Sequence, residues 1–220
     1  MAYGALLTGV VVWFLLVRKL SARSWETAGD EVGAPAQRFP PAKVGLWVFL
    51  AVITSLFGLF ISAYYMRMGH GRGPVDDWSA LSEPTVLWLN TALLILSSIA
   101  MQWARSSVAG GQLNRTREGL LVGGLLTLAF LGGQFFAWRE IRQSDFFAPN
   151  NPAVAFFYLL TAVHGLHLLG GLFVWARTLL RMQRKDVEAI DVRMSVELCT
   201  VYWHYLLFVW LVLFALLLAT

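Results

Sequence analysis

The chain has 220 residues, of which 58% are hydrophobic and only 14% charged, and it carries ten Trp and fifteen Phe. A soluble domain holds roughly a quarter charged residues, so this composition, with a mean hydropathy of +0.63, indicates a membrane protein. The net charge of +4 is small and scattered, which argues against a nucleic-acid partner, and the single cysteine, Cys199, excludes an internal disulfide and any Cys-rich metal site.

A membrane-crossing helix needs about 20 mostly apolar residues. Six stretches meet or approach that length: Ala2–Val17, Val44–Met66, Pro84–Ala104, Gly119–Trp138, Pro152–Ala176 and Leu198–Ala219. The first is short and could pass for a signal peptide. It has no basic residue before its apolar run, is followed by Arg18 and Lys19, and lacks a small-residue cleavage site, so an uncleaved helix is expected. Pro40-Pro41 precedes the second span, Ser82-Glu83-Pro84 opens the third, and Asn150-Asn151-Pro152 opens the fifth, with Asn151 as N-cap and Pro at the first helical position. The loop from Arg67 to Glu83 is long for a hairpin.

The basic residues orient these spans. Thirteen lie in the odd-numbered loops, among them Arg18, Lys43, Arg105, Arg115, Arg181 and Arg193. Four lie in the even loops: Arg67, Arg72, Arg139 and Arg142. Positive charge stays cytoplasmic, so both termini are placed outside. The expected fold is an all-α polytopic transmembrane helix bundle of six spans. Residues 1–42 form an N-terminal helix and cytoplasmic linker, and residues 43–220 form a five-helix bundle.

Helices in lipid associate through small residues and hydrogen-bonding side chains. In the third span Asn90 and Ser97 align at 100° per residue, with Thr91, Ser98 and Gln102 on an adjoining strip. Ser55, Gly58 and Ser62 make a small-residue strip on the second span. Gly123-Gly124 and Gly132-Gly133 serve the fourth, whose buried polar group is Gln134. All of these read as packing features.

The histidines are less ordinary. The stretch "FFYLLTAVHGLHLLGG" places His164 at the middle of the fifth span and His167 three residues on, about 4–5 Å nearer the cytoplasm. His204 falls at a depth similar to His167 on the sixth span, and Glu197 lies two turns before it near the cytoplasmic boundary. His70, in Gly69-His70-Gly71, reads as a solvated loop residue. Three roles are open to the intramembrane set. A metal or haem site would use the His-x-x-His pair, but bundle metal sites favour several carboxylates, and Glu197 lies at another depth. A proton relay would need a chain of ionisable groups, yet no Asp or Glu lies inside any span. The third role, favoured by the chemistry, is structural: neutral imidazoles, which both donate and accept hydrogen bonds, bridge the fifth and sixth spans. No nucleophile elbow, Walker loop, His-Glu-x-x-His or dinucleotide glycine pattern is present.

"TAVHGLHLLGG" followed by "VELCTVYWHYLLFVWLVLF" resembles subunit III of the haem-copper cytochrome c oxidases. The matching positions are Thr161, His164, Gly165, His167, Gly170, Glu197, Tyr202, Trp203, His204 and Trp210. Upstream, "KVGLWVFLAVITSLFGLFISAYY" and "LNTALLILSSIAMQWA", which contains Asn90, are similar to two further segments of that family, in family order from about Lys43 to Phe214. The resemblance implies a non-catalytic, multi-pass subunit beside catalytic subunit I and other oxidase subunits in a bacterial plasma membrane. Such a subunit binds no haem or copper of its own, stabilises the complex and supports proton uptake by its neighbour in aerobic electron transport. It also implies phospholipid held in a cleft between helix groups. His164, His167 and Glu197 then look like one polar cluster locking two helices. Subunit III of a quinol oxidase and an accessory protein of a nitric oxide reductase fit the same pattern; a stand-alone transporter or metal enzyme is the reading from another class. The sequence departs from the family where Ile53, Ala137 and Leu207 replace carboxylates, which leaves no deep acid to conduct or store protons. Many relatives have seven helices, whereas one short helix precedes Lys43 here.

Overall fold

A computed structural model describes residues 41–70, 85–143, 152–183 and 189–218. They form five helices: α1 (Pro41–His70), α2 (Val86–Ala109), α3 (Leu113–Gln143), α4 (Pro152–Met182) and α5 (Ala189–Leu218). Each is long and apolar enough to cross a membrane, and no strand occurs among the described residues. These are the second to sixth expected spans. The first span and its linker, most of the loop after His70, and the expected capping residues Ser82, Glu83 and Asn151 lie outside the described residues.

The helices outrun the apolar stretches that announce them. α3 extends six residues before Gly119 and five beyond Trp138, and α5 begins at Ala189, nine residues before Leu198. α1 runs on from Met66 to His70, so Gly69 and His70 lie in the last turn of a helix and His70 is not the loop residue expected. Arg, Glu and Gln are good helix formers, and the i to i−4 ladder continues into the headgroup region, where polar side chains are solvated. Proline at the first position opens α1 and α4, where its missing N–H costs nothing and its φ is already helical.

Only Gly110–Gln112 separate α2 from α3. Gly111 has φ +72°, the left-handed region that glycine enters without strain. The turn is closed by Gln112 N–H donating to Ser107 O at 3.0 Å and by Thr116 Oγ1 donating to Gln112 O at 2.9 Å. So short a connection forces α2 and α3 to run antiparallel as neighbours, and theirs is the most extensive helix contact. A Cβ on Gly119 would meet Ala104 Cβ at 3.0 Å, and one on Gly123 would meet Met101 Cε at 2.8 Å.

α2, α3, α4 and α5 close into a four-helix ring in which each packs on the next and α5 returns to α2. Its centre is filled by fully buried Leu94, Met101, Phe130, Phe157, Trp203 and Trp210. α1 leans on the outer edge formed by α4 and α5. It turns Leu50, Ile53, Phe57 and Tyr64 inward and leaves Trp47, Val52 and Leu59 exposed. This corrects one expectation: Ser55, Gly58 and Ser62 lie on the exposed face of α1, not at a helix contact. The bulky residues at 50, 53, 57 and 64 take the inner face, and that rotates the small ones outward. Ile53, where the family often has a carboxylate, is 2% exposed and packed as ordinary core.

Candidate functional site

The ring is joined by indoles and phenols reaching across to hydroxyls and backbone carbonyls. Trp203 on α5 is 1% exposed, and its Nε1–H donates to Thr127 Oγ1 on α3 at 2.9 Å and to Ser97 Oγ on α2 at 3.1 Å. Ser97 Oγ in turn lies 2.7 Å from Gly123 O and 2.8 Å from Thr127 Oγ1. One indole thereby ties three helices at a single point. Two turns along α5, Trp210 Nε1–H donates to Thr91 Oγ1 on α2 at 3.0 Å. Thr200 Oγ1, near the other end, donates to Met101 O at 3.1 Å.

α4 is joined in the same way. Trp138 Nε1–H on α3 donates to Thr161 Oγ1 at 2.9 Å, and Tyr158 OH donates back to Trp138 O at 2.8 Å. Trp175 Nε1–H donates to Leu120 O at 2.7 Å, with its ring lying on Gly124, where any Cβ would collide with it. Tyr202 OH donates to His167 O at 3.0 Å over Gly171, where a Cβ would sit 2.7 Å from Tyr202 Cε1. For Trp175 and Tyr202 the aromatic ring reaches a backbone carbonyl because the residue one turn on, Gly124 or Gly171, has no side chain.

Asn90 Nδ2 donates to Gln134 Oε1 at 3.4 Å, and Gly133 leaves room for the Asn90 amide. Both side chains are buried, as the sequence suggested. Asn90 Oδ1 and Gln134 Nε2 have no hydrogen-bond partner among the described residues.

The histidines do not form one cluster. His164 is fully buried between the Phe130 ring, edge-on at 5.9 Å, and the Trp210 ring at 5.4 Å, and neither ring nitrogen has a hydrogen-bond partner among the described residues. His167, one turn on, faces α1. Its Nδ1–H donates to its own helix at Val163 O, 2.7 Å away, and its ring lies 5.7 Å from that of Phe57. His204 bonds neither of them. Its Nδ1 meets Ser98 Oγ and its Nε2 lies 3.1 Å from Gln102 Oε1, both on α2. With the amide so placed, Nε2–H donates to Gln102 and Nδ1 accepts from Ser98.

Glu197 is not part of a histidine cluster either. Its Oε2 pairs with Lys43 Nζ on α1 at 3.0 Å and its Oε1 with Arg193 Nε, one turn earlier, at 3.3 Å. The expected cross-link between the fifth and sixth spans through His164, His167 and Glu197 is therefore replaced by separate contacts. The physical reason is angular. Residues three apart on a helix diverge by about 60°, enough to turn His164 into the ring and His167 towards α1. Among the described residues no three His, Cys, Asp or Glu side chains converge as a metal-ligand set. Gly165 needs no close approach, since a Cβ there would touch only Leu131 Cδ2 at 3.7 Å.

The sequence reading missed the hydrogen-bonding role of the indoles. A signal was present: Trp203 and Trp210 stand seven residues apart, on one face, deep within a span and away from the interfacial depth where Trp usually anchors. An indole at that depth needs an acceptor, and the hydroxyls of Thr91, Ser97 and Thr127 are the groups that supply it.

Comparison with known proteins agrees with this architecture. Residues 41–219 match the family model for cytochrome c oxidase subunit III. The chain is 27% identical over 185 residues to cytochrome c oxidase subunit 3 of Thermostichus vulcanus, covering 83% of this chain and 89% of that protein. It is 27% identical over 165 residues to the probable cytochrome c oxidase subunit 3 of Mycobacterium tuberculosis H37Rv, covering 75% and 79%. To the subunit 3 of Oncorhynchus clarkii it is 25% identical over 234 aligned positions, covering 95% and 87%. With the match running through all five described helices, this chain belongs to the cytochrome c oxidase subunit III family.

Proposed function

We propose that this chain is a non-catalytic membrane subunit that stabilises the catalytic subunit of a haem-copper terminal oxidase in a bacterial plasma membrane. Haem and copper reside in partner subunits, and the chain's own ligands are membrane phospholipids. The observation that carries this reading is the engagement of His204. Both its ring nitrogens are committed to α2 side chains, so the most ligand-like residue of the sixth span works as a helix joint. Trp203, Trp210 and Glu197 do the same at other levels. A bundle built in this way offers a stiff surface to a neighbour.

Isolating the complex from native membranes tests the proposal. The chain is expected to co-purify with a haem-copper subunit; the electron donor accepted by that complex separates a cytochrome c oxidase from a quinol oxidase, and the acceptor reduced, O2 or NO, separates both from a nitric oxide reductase assembly. His204→Leu is expected to lower the yield of assembled complex while the complex that does assemble keeps its haem absorption spectrum. A shifted haem spectrum in the intact variant, or a monomer with stoichiometric metal and its own activity, would overturn the reading.

A further inference from the structure

Near the C-terminal end of α3, a groove of about 320 Å³ is lined by Phe135, Trp138, Arg139, Arg142 and Gln143. These positions recur at three- and four-residue steps, so they form one stripe along the helix. The stripe changes character along its length. Phe135 is an exposed ring within the apolar stretch that closes at Trp138, and Trp138 is half-buried with its Nε1–H committed to Thr161. Arg139 and Arg142 follow, both exposed, about 1.5 and 6 Å further along the axis. Arginines just past the end of an apolar stretch stand at headgroup depth, with the Phe135 ring beside the acyl chains.

Neither guanidinium has an ion-pair or hydrogen-bond partner among the described residues. Glu140 points about 100° round the helix from Arg139 and does not line the groove; Asp145 lies outside the described residues. The C-terminal end of α3 offers roughly half a negative charge, too little to balance two cations. By the distribution of basic residues this end faces outside, and Arg139 and Arg142 are two of the four basic residues expected on that side, from which positive charge is normally depleted. Two uncompensated guanidiniums above an apolar ring complement a phosphodiester joined to acyl chains, because each guanidinium offers paired N–H donors to phosphate oxygens. The stripe belongs to α3 alone, while α1 leans on α4 and α5, so it is separate from the cleft between helix groups that the family resemblance implies.

Resting on the reading that membrane phospholipids are this chain's ligands, we infer that Arg139 and Arg142 hold the phosphate of an anionic phospholipid of the outer leaflet, with an acyl chain lying along Phe135 and Trp138.

The test is photo-cross-linking in the complete complex, transferred from native membranes into phosphatidylcholine vesicles that contain a minority of phosphatidylglycerol. A photoreactive amino acid replaces Phe135, or else Phe136, a similarly exposed control one step round α3 and outside the groove. At Phe135, phosphatidylglycerol adducts are expected to exceed that lipid's share of the bilayer roughly threefold to tenfold, with no such excess at Phe136. The excess should vanish when Arg139→Gln and Arg142→Gln are combined, while total lipid adducts at Phe136 stay unchanged. An equal excess at both positions, or one that survives the double variant, would overturn the inference. So would cross-links from Phe135 to residues 144–151 of this chain or to another oxidase subunit. Loss of the excess on adding millimolar inorganic phosphate at constant ionic strength would make this a site for a free anion, and would overturn the lipid assignment too. These outcomes leave phospholipid as a ligand elsewhere on the chain; absence of phospholipid adducts at both positions would overturn that wider reading as well.

Discussion

The four-helix ring and α1 cross the same membrane but are held by different means. In α3, α4 and α5 between 39% and 44% of the apolar window is buried, and α2 also reaches 44%, whereas in α1 the figure is 17%. The ring is joined by the buried donors Trp203 and Trp210 and the half-buried donors Trp138 and Trp175, seated against glycine-lined or hydroxyl-bearing faces. α1 is attached by one apolar stripe, the Phe57–His167 ring contact, Tyr205 OH lying 2.9 Å from Thr54 Oγ1, and the Lys43–Glu197 pair. Between helices in lipid there is little hydrophobic force to exploit. Hydrogen bonds and close packing therefore decide which element is integral and which is merely leaning, and α1 is expected to separate first.

Substitutions on the two sides of this divide should behave differently. The largest effect is expected at Gly124→Val, whose side chain would occupy the space of the Trp175 ring. Overpacking of this kind costs on the order of 3 kcal/mol, and thermal unfolding of the purified protein followed by Trp fluorescence should show an early, global transition. A parent-like melt would mean that α4 can shift aside, and the ring would not be the rigid part.

Trp203→Phe removes the donor that joins three helices and should cost about 1–2 kcal/mol, again as a change in global melting. Tyr205→Phe removes the contact with Thr54 and is expected to cost about 0.5–1 kcal/mol. Its effect should appear as faster hydrogen exchange confined to α1. If both variants lowered the same global transition equally, α1 and the ring would be one cooperative unit and the contrast would fail.

Glu197→Gln weakens the ion pair with Lys43, whose two side chains are 18% and 38% exposed. Pairs this close to water are worth about 0.2–1 kcal/mol. The change should loosen α1 slightly, and raising the ionic strength should loosen the parent in the same way. The smallest effect is expected at Gly58→Ala, on the exposed face of α1 with no atom within 4 Å of the new Cβ. Removing a mid-helix glycine gains roughly 0.5–1 kcal/mol of helix stability, so an unchanged or slightly raised melting temperature is predicted. A drop in complex assembly with this variant would instead mark that face as a contact.

Much of the molecule was legible before any coordinates. Apolar length located the five described spans, and proline marked two of their starts. Of the polar sector on α2, Asn90, Thr91, Ser97 and Ser98 point inward as their 100° spacing required, whereas Gln102 stays exposed on the outer face. What misled was the reading of pairs. His164 and His167 share one side of α4, yet a 60° difference sends one into the ring and the other to α1. Ser55, Gly58 and Ser62 have the spacing of a packing strip, yet the bulkier stripe on α1 won the inner face. Periodicity says which residues share a side of a helix; it does not say which side a neighbour will choose.

Composition, apolar run lengths, charge asymmetry and motif order by themselves determined that this is a helical membrane protein of the subunit III family. Those properties are local, being set by the transfer of each segment from water to lipid. The partners of each polar group were decided only when the helices packed. A buried indole or amide N–H can donate to any acceptor within reach, and reach depends on where small residues let two helices close. That is why Trp203 and Trp210 became the joints of the ring, and why His204 turned from its expected partners to Ser98 and Gln102 at the protein's outer face.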